Sequence, residues 1–407
     1  MIINILVDCN FDENILGMDS VDVRLSKELE RLTEKHKAYL GYPLAKDFTY
    51  QALAPFLDLQ INNVGDPYTP SSLGIDTKEI EQEVLDFFKG LLRAKSDNTW
   101  GYVTNGGSEG NLYGLYLAKE AFPKGMFYYS ESTHYSVKKN LHLLGVQNIV
   151  IRAQENGEID YTDLEETLFT RRNRPAIFLL NVGTTMKEAI DDLSKIKAII
   201  KKFAIKDYYI HCDAALVGAM APFHSPRPVF DFQDGIDSIS ISGHKFIGSP
   251  VPCGVVLCKK EHSDRVAKSI SYVGTKDTTI TGSRNGLTPL ILWYALKTLR
   301  ISGLRNRYND CLDLAIYAEK SMNEIGVKAW RNPNAVTVVF DQPSDALCQK
   351  YQLAVEDGIV HILCMPGIDK LQIDGLIDDL KNDVRDVISI SDKALYQENE
   401  DLLAAFA

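Results

Sequence analysis

The sequence predicts a doubly wound α/β fold with a mostly parallel sheet, followed by a small α+β domain. Three observations lead there. Short strand-like runs alternate with helical periodicity from residue 79 to residue 242. Their ends repeatedly carry hydroxyl, imidazole, carboxylate or amine side chains, and beyond Pro289 helical patterning gives way to two short strands at 335–340 and 360–363.

The whole-chain properties fit such a fold and exclude several functions. A chain of 407 residues with 45% hydrophobic content can bury a substantial core. A net charge of −11 without any Lys/Arg-rich block argues against nucleic acid or an anionic membrane surface as partner. Seven cysteines, odd in number and without a C-x-x-C pair, argue against a disulfide framework or a zinc site; free thiols in a reducing cytoplasm are expected. The apolar start lacks a basic region and meets Asp8, Asp12 and Glu13, unlike a secretory signal, and no apolar run reaches transmembrane length.

Taken in order, residues 20–39 carry Leu25, Leu29, Leu32 and His36 at three- and four-residue spacings, an amphipathic helix in an N-terminal arm. Gly41-Tyr-Pro43 and the stretch INNVGDPYTP at 61–70 have the composition of site-lining loops. Residues 79–92 form a helix with Ile80, Val84, Phe87, Phe88 and Leu91 on one face. An apolar strand at 100–103 then runs into Gly106-Gly107-Ser108, with a helix from about 109 to 121. Glycines there admit an anion to the backbone, and the helix start supplies free N–H groups, so a phosphate fits. The same letters, Gly106-x-Ser108-x-Gly110, also match a serine-hydrolase nucleophile elbow, with Asp213 and His244 following in that fold's chain order.

A strand at 126–129 leads to His134, placed to lie on a flat ring. The continuous apolar run 176–182 suits a central parallel strand and ends in Gly183-Thr184-Thr185, again polar groups at a carboxyl end. A helix at 193–203 precedes Tyr208-Tyr-Ile-His-Cys-Asp-Ala-Ala215, where Asp213 ends a buried strand. A buried carboxylate calls for a cation such as a protonated ring nitrogen, or for a capping role on the next helix. Finally, serine and isoleucine alternate from 238 to 242 and Gly243 ends the run, so Lys245 leaves a strand end on a turn. An ammonium there needs a partner or a covalent fate such as a Schiff base.

The phrases INNVGDPY, WGYVTNGGSEGN, THYSV, NVGTT, YIHCDAAL, SISGHKFIGSPVPCG and GSRNG, in this order, resemble the group II decarboxylases that use pyridoxal 5'-phosphate. The likeness is strongest to their short branch of bacterial histidine and plant serine decarboxylases and covers roughly residues 41–379. It implies fold type I, aspartate aminotransferase-like, with an arm and site-lining segment at 1–64, a large cofactor-binding domain at 65–288, a small domain at 289–390 and a tail at 391–407. It further implies that Lys245 forms the internal aldimine, Asp213 pairs with the pyridine nitrogen and His134 stacks on the ring. Gly107, Ser108, Thr185, Ser242 and His244 surround the phosphate, Ala215 lies in the cofactor shell, and Tyr272 is the candidate acid for reprotonating Cα. His211 and Asp191 take support roles, Arg284 reaches a neighbouring subunit's site, and the enzyme is a cytoplasmic homodimer. Leu287 stands where the branch usually has histidine. The expected reaction is α-decarboxylation of a polar L-amino acid, histidine first and serine second. A pyridoxal phosphate aminotransferase and a hydrolase using Ser108, Asp213 and His244 are the alternatives.

Overall fold

The computed structural model describes residues 21–271 and 274–383. The chain divides into two units, residues 1–39 and 40–407. In the first, α1 (Val21–Ala38) is the expected amphipathic helix, with Glu28–Arg31 and Glu34–Lys37 ion pairs along its polar face. The expected tail at 391–407 and Tyr272 lie outside the described residues.

The second unit is built on a seven-stranded sheet. Along the chain come α2 (Lys78–Leu91), β1 (Thr99–Thr104), α3 (Gly107–Ala121), β2 (Met126–Ser130), α4 (Tyr135–Leu144) and β3 (Asn148–Ile151). Then follow α5 (Tyr161–Phe169), β4 (Ala176–Asn181), α6 (Leu193–Lys202), β5 (Tyr208–Asp213), β6 (Ser238–Ser242) and β7 (Gly254–Lys259). The spatial order is β1-β7-β6-β5-β4-β2-β3, and only β7 runs against its neighbours. Strands β1, β2, β4, β5 and β6 therefore end on one edge of the sheet.

Composition explains these elements. Strands β2 and β4 are buried along their whole length, which is why they read as unbroken apolar runs. Asp160 and Asp192 cap α5 and α6 by accepting backbone N–H groups of the first turn, and Gly145 in the left-handed region ends α4. Ile177, Phe178, Ile210, Ile239 and Ile241 are each at most 1% exposed. Burial of each such side chain contributes about 1.5–3 kcal/mol before entropy is subtracted.

Helix α3 begins at Gly107, two residues before the expected start, because Gly106 makes the turn at φ 134° and frees Gly107 for helical geometry. Its glycines form a stripe against the sheet. A Cβ on Gly110 would sit 2.2 Å from Ser240 Oγ, and one on Gly114 2.2 Å from His211 Nδ1. Alanine would force this helix off β5 and β6.

After β7 come α7 (Lys260–Val266) and the short antiparallel pair β8 (Lys268–Ile270) and β9 (Thr275–Asp277). The two expected helices beyond Pro289 are the two halves of α8 (Leu287–Glu324), which breaks at a kink where Arg300 takes non-helical backbone angles (φ 58°, ψ 178°). The second half starts earlier than the expected Cys311, because the mostly polar residues 301–310 still bury Leu304, Arg307 and Tyr308. A second sheet, in the order β10-β11-β13-β12, is formed by β10 (Ala329–Trp330), β11 (Thr337–Asp341), β12 (Ala354–Glu356) and β13 (Ile359–Leu363), with α9 (Asp345–Tyr351) between β11 and β12. No helix among the described residues is long and apolar enough to cross a membrane, and none of their His, Cys, Asp and Glu side chains cluster as a metal site.

Candidate active site

The carboxyl ends of β1, β2, β4, β5 and β6 and residues of the second sheet line one cavity of about 200 Å³. Gly107, Ser108, His134, Thr185, Asp213, Ala215, Ser242, His244 and Lys245 all face it, so nine expected residues from five segments converge.

Lys245 sits on the turn after β6, half-buried, and lines this cavity. Its backbone carbonyl accepts from Ala45 N at 3.3 Å, so a strap at residues 41–47 holds the lysine turn. Arg307 anchors the strap by pairing with Asp47 while donating to Ile247 O at 3.3 Å. Burial pulls the lysine's pKa below its ordinary value, and the opposing attraction of Asp213 recovers only part of it. A lysine so placed reaches its neutral, nucleophilic form more readily than one in water.

Asp213 ends β5 and receives two donors, Asn111 Nδ2 on Oδ2 at 2.6 Å and its neighbour Ala215 N on Oδ1 at 3.1 Å. His134 caps α4, its Nδ1 lying 2.8 Å from Ser136 Oγ and 3.3 Å from Ser136 N. Burial lowers its pKa first, and Asp213 and Lys245 act on it with opposite signs, so the three groups share one electrostatic environment. His244 turns Nδ1 to Cys253 O at 2.9 Å, leaving Nε2 as its second polar atom.

These residues fit pyridoxal phosphate. At one end, the start of α3, the Ser108 and Thr185 hydroxyls, Ser242 and the His244 imidazole form a donor-rich cradle suited to a phosphate. A Cβ on Gly107 would lie 3.0 Å from both Ala215 Cβ and Ser242 Oγ, closing this cradle. The Asp213 carboxylate also lines the cavity, where it could meet a protonated ring nitrogen, and Lys245 is the one amine among the described lining residues.

Other expected residues stand elsewhere. His211 lies behind Asp213 rather than in the cavity, wholly buried, and burial holds its pKa down at about 3. Asp191 accepts from Asn181 N, Asn181 Nδ2 and Ile159 N, so it fixes Asn181, a lining residue at the end of β4; burial pushes its pKa up to about 6. Arg284, expected to reach a neighbouring subunit, is 5% exposed and turned inward, pairing with Glu81 and donating to Gly65 O at 3.0 Å. The hydrolase arrangement does not form, because His244 faces a backbone carbonyl and Asp213 faces Asn111 instead of each other.

Sequence reasoning missed Asn111, Asn181, Ala354, His361 and Leu363 as lining residues, and foresaw the loop at Gly41, Tyr42 and Pro43 only by composition. Asn111 had a signal: it shares the sheet-facing stripe of Gly107, Gly110 and Gly114 at helical spacing. His361 is one imidazole in an apolar strand, its Nδ1 3.2 Å from Met186 O and its Nε2 3.3 Å from Gly41 O.

Residues 53–341 match the pyridoxal-dependent decarboxylase conserved domain. The chain is similar to histidine decarboxylase of Mesorhizobium japonicum, at 48% identity over 88% of this chain and 97% of that protein. It is likewise similar to histidine decarboxylase of Morganella morganii, at 45% identity over 84% and 91%. Among solved structures, L-methionine decarboxylase from Streptomyces sp.590 in complex with L-methionine methyl ester matches with a TM-score of 0.83 and 28% identity, over 91% of this chain and 96% of the other.

Proposed function

This chain belongs to the pyridoxal-dependent decarboxylase family, and from that premise we propose that its substrate is L-histidine, released as histamine and carbon dioxide. The observation that carries the substrate is the near-full-length identity to two histidine decarboxylases. When bound, pyridoxal phosphate supplies an electron sink for the pair left as the Cα–carboxylate bond breaks.

The chain's own residues bind, orient and move protons. Lys245 is the attachment amine, and burial, by lowering its pKa, raises its share of the neutral nucleophile. Asp213 holds the ring nitrogen, with Asn111 and Ala215 N fixing its carboxylate. His134 would cover one face of the ring, and its imidazole, shifted toward the neutral form by burial, would be a proton carrier within the cavity that it lines. Ser108, Thr185, Ser242 and His244 take the phosphate, with the Gly107 backbone among them. Tyr42, Ala354, His361 and Leu363 line the remaining wall, where the substrate side chain lies. Two copies of the chain form the working enzyme, and the six cysteines among the described residues, all free and buried, support a reducing, cytoplasmic setting.

The test is a screen of the cofactor-loaded protein against the common L-amino acids and 2,4-diaminobutyrate, following CO₂ and amine, with keto acid in parallel. Histidine should give the highest kcat/KM. Preference for serine or another amino acid would overturn the substrate, and keto acid without CO₂ would overturn the reaction.

A further inference from the structure

Behind Asp213 runs a line of buried polar side chains. Tyr209 OH lies 2.9 Å from Ser238 Oγ, Ser238 Oγ 2.7 Å from His211 Nδ1, His211 Nε2 3.0 Å from Asn111 Oδ1, and Asn111 Nδ2 2.6 Å from Asp213 Oδ2. Tyr209, Ser238 and His211 are 0% exposed and Asn111 is 1% exposed. Without access to water, each group must be satisfied by the next.

The direction of the line follows from its last member. Facing a carboxylate, the Asn111 amide presents its NH₂, because its oxygen there would meet a second acceptor. The amide oxygen therefore faces His211 Nε2, which must carry a hydrogen. Burial keeps His211 neutral, with a pKa of about 3, so it has one N–H and its Nδ1 accepts from the Ser238 hydroxyl. Ser238 Oγ in turn accepts from Tyr209 OH. Every proton in the line points toward Asp213. Gly114 makes room for it, since a Cβ there would lie 2.2 Å from His211 Nδ1.

We propose that Asn111 is a positioning residue: held by Tyr209, Ser238 and His211, it presents a fixed donor to Asp213 and keeps that carboxylate oriented to accept from the cofactor's ring nitrogen. The proposal rests on the reading of the cavity as a pyridoxal phosphate site. Its consequence is that protonation of the ring nitrogen depends on His211, Ser238 and Tyr209, none of which lines the cavity.

The experiment loads wild type, Asn111→Ala and His211→Phe with ¹⁵N-labelled pyridoxal phosphate, recording the ring-nitrogen resonance and the cofactor's dissociation constant. Wild type should show a protonated nitrogen. Asn111→Ala should move the resonance toward the unprotonated position and weaken cofactor binding about tenfold or more, the size of one hydrogen bond to a charged group. His211→Phe keeps the buried ring but lets the amide turn, so it should shift the resonance the same way by less. An unmoved resonance in both variants, or in His211→Phe alone where Asn111→Ala does not fold, overturns the proposal. Wild type that gives no Lys245-dependent visible absorption overturns the cofactor reading itself.

Discussion

Glu188 ties the loop that carries Thr185 to the second sheet, and replacing it should be costly in a way the hydrogen bonds define. Its wholly buried carboxylate accepts from Val336 N at 3.1 Å, Thr337 N at 2.8 Å and the Thr337 hydroxyl. Glu188→Ala strands these three donors among residues that are 0% exposed. At about 1–2 kcal/mol for each buried donor left unsatisfied, the loss is roughly 3–6 kcal/mol. Glu188→Gln keeps one acceptor oxygen and should cost about 1 kcal/mol. Backbone strain does not distinguish the variants, since neither adds or removes glycine at φ 51°.

The same residue gives a pH signature. Burial pushes the Glu188 pKa up to about 7, against hydrogen bonds that pull it down, from an ordinary value of 4.5. A folded pKa above the unfolded one means that this group's stability is full below about 4.5 and lost as pH rises through 7. The loss between pH 5 and pH 8 is about 2–3 kcal/mol. Urea unfolding at both pH values checks this: wild type should be the more stable by about 1 kcal/mol at pH 5, and Glu188→Gln, which does not titrate, should be the more stable at pH 8. Glu188→Ala within about 1 kcal/mol of wild type, with the Gln gap unchanged by pH, would refute the reasoning.

Further predictions concern the site and its support. His211, whose folded pKa of about 3 lies below its ordinary 6.5, contributes stability present above pH 6.5 and lost as pH falls toward 3. About 3 kcal/mol should go by pH 4, and His211→Phe should flatten this acid limb in urea titrations at pH 7 and pH 4. Gly110→Ala drives a Cβ to 2.2 Å from Ser240 Oγ, so calorimetry should show about 1–3 kcal/mol of destabilisation, with weaker cofactor binding as α3 shifts. Asp213→Ala removes the carboxylate proposed to hold the ring nitrogen and should lower kcat by about 100-fold or more with histidine; a variant within a few-fold of wild type would deny Asp213 its role.

Much of the site was legible because its residues sit where strand patterns stop. Asp213, Thr185 and Lys245 each follow a run whose apolar or period-two character marks the strand end, and the parallel sheet gathers those ends on one edge. Strand β7 went unread because its Gly-Val-Val-Leu-Cys-Lys run leads to no site residue, its terminal Lys259 pairing with Asp237 instead, and its antiparallel direction is set by pairing with β1 and β6, not by composition. Arg284 shows the opposite failure: its motif suggested an outward reach, while the partner that turns it inward, Glu81, lies 203 residues away. His361 and Asn111 were hidden for a similar reason, since their neighbours come from segments the sequence does not bring together.

The central claim is a covalent one. Reducing the cofactor-loaded protein with borohydride, digesting it and mapping the modified peptide by mass spectrometry should find the phosphopyridoxyl group on Lys245 alone, and none in Lys245→Ala. A label on any other lysine, or no label in protein that still releases CO₂ from histidine, would contradict the account.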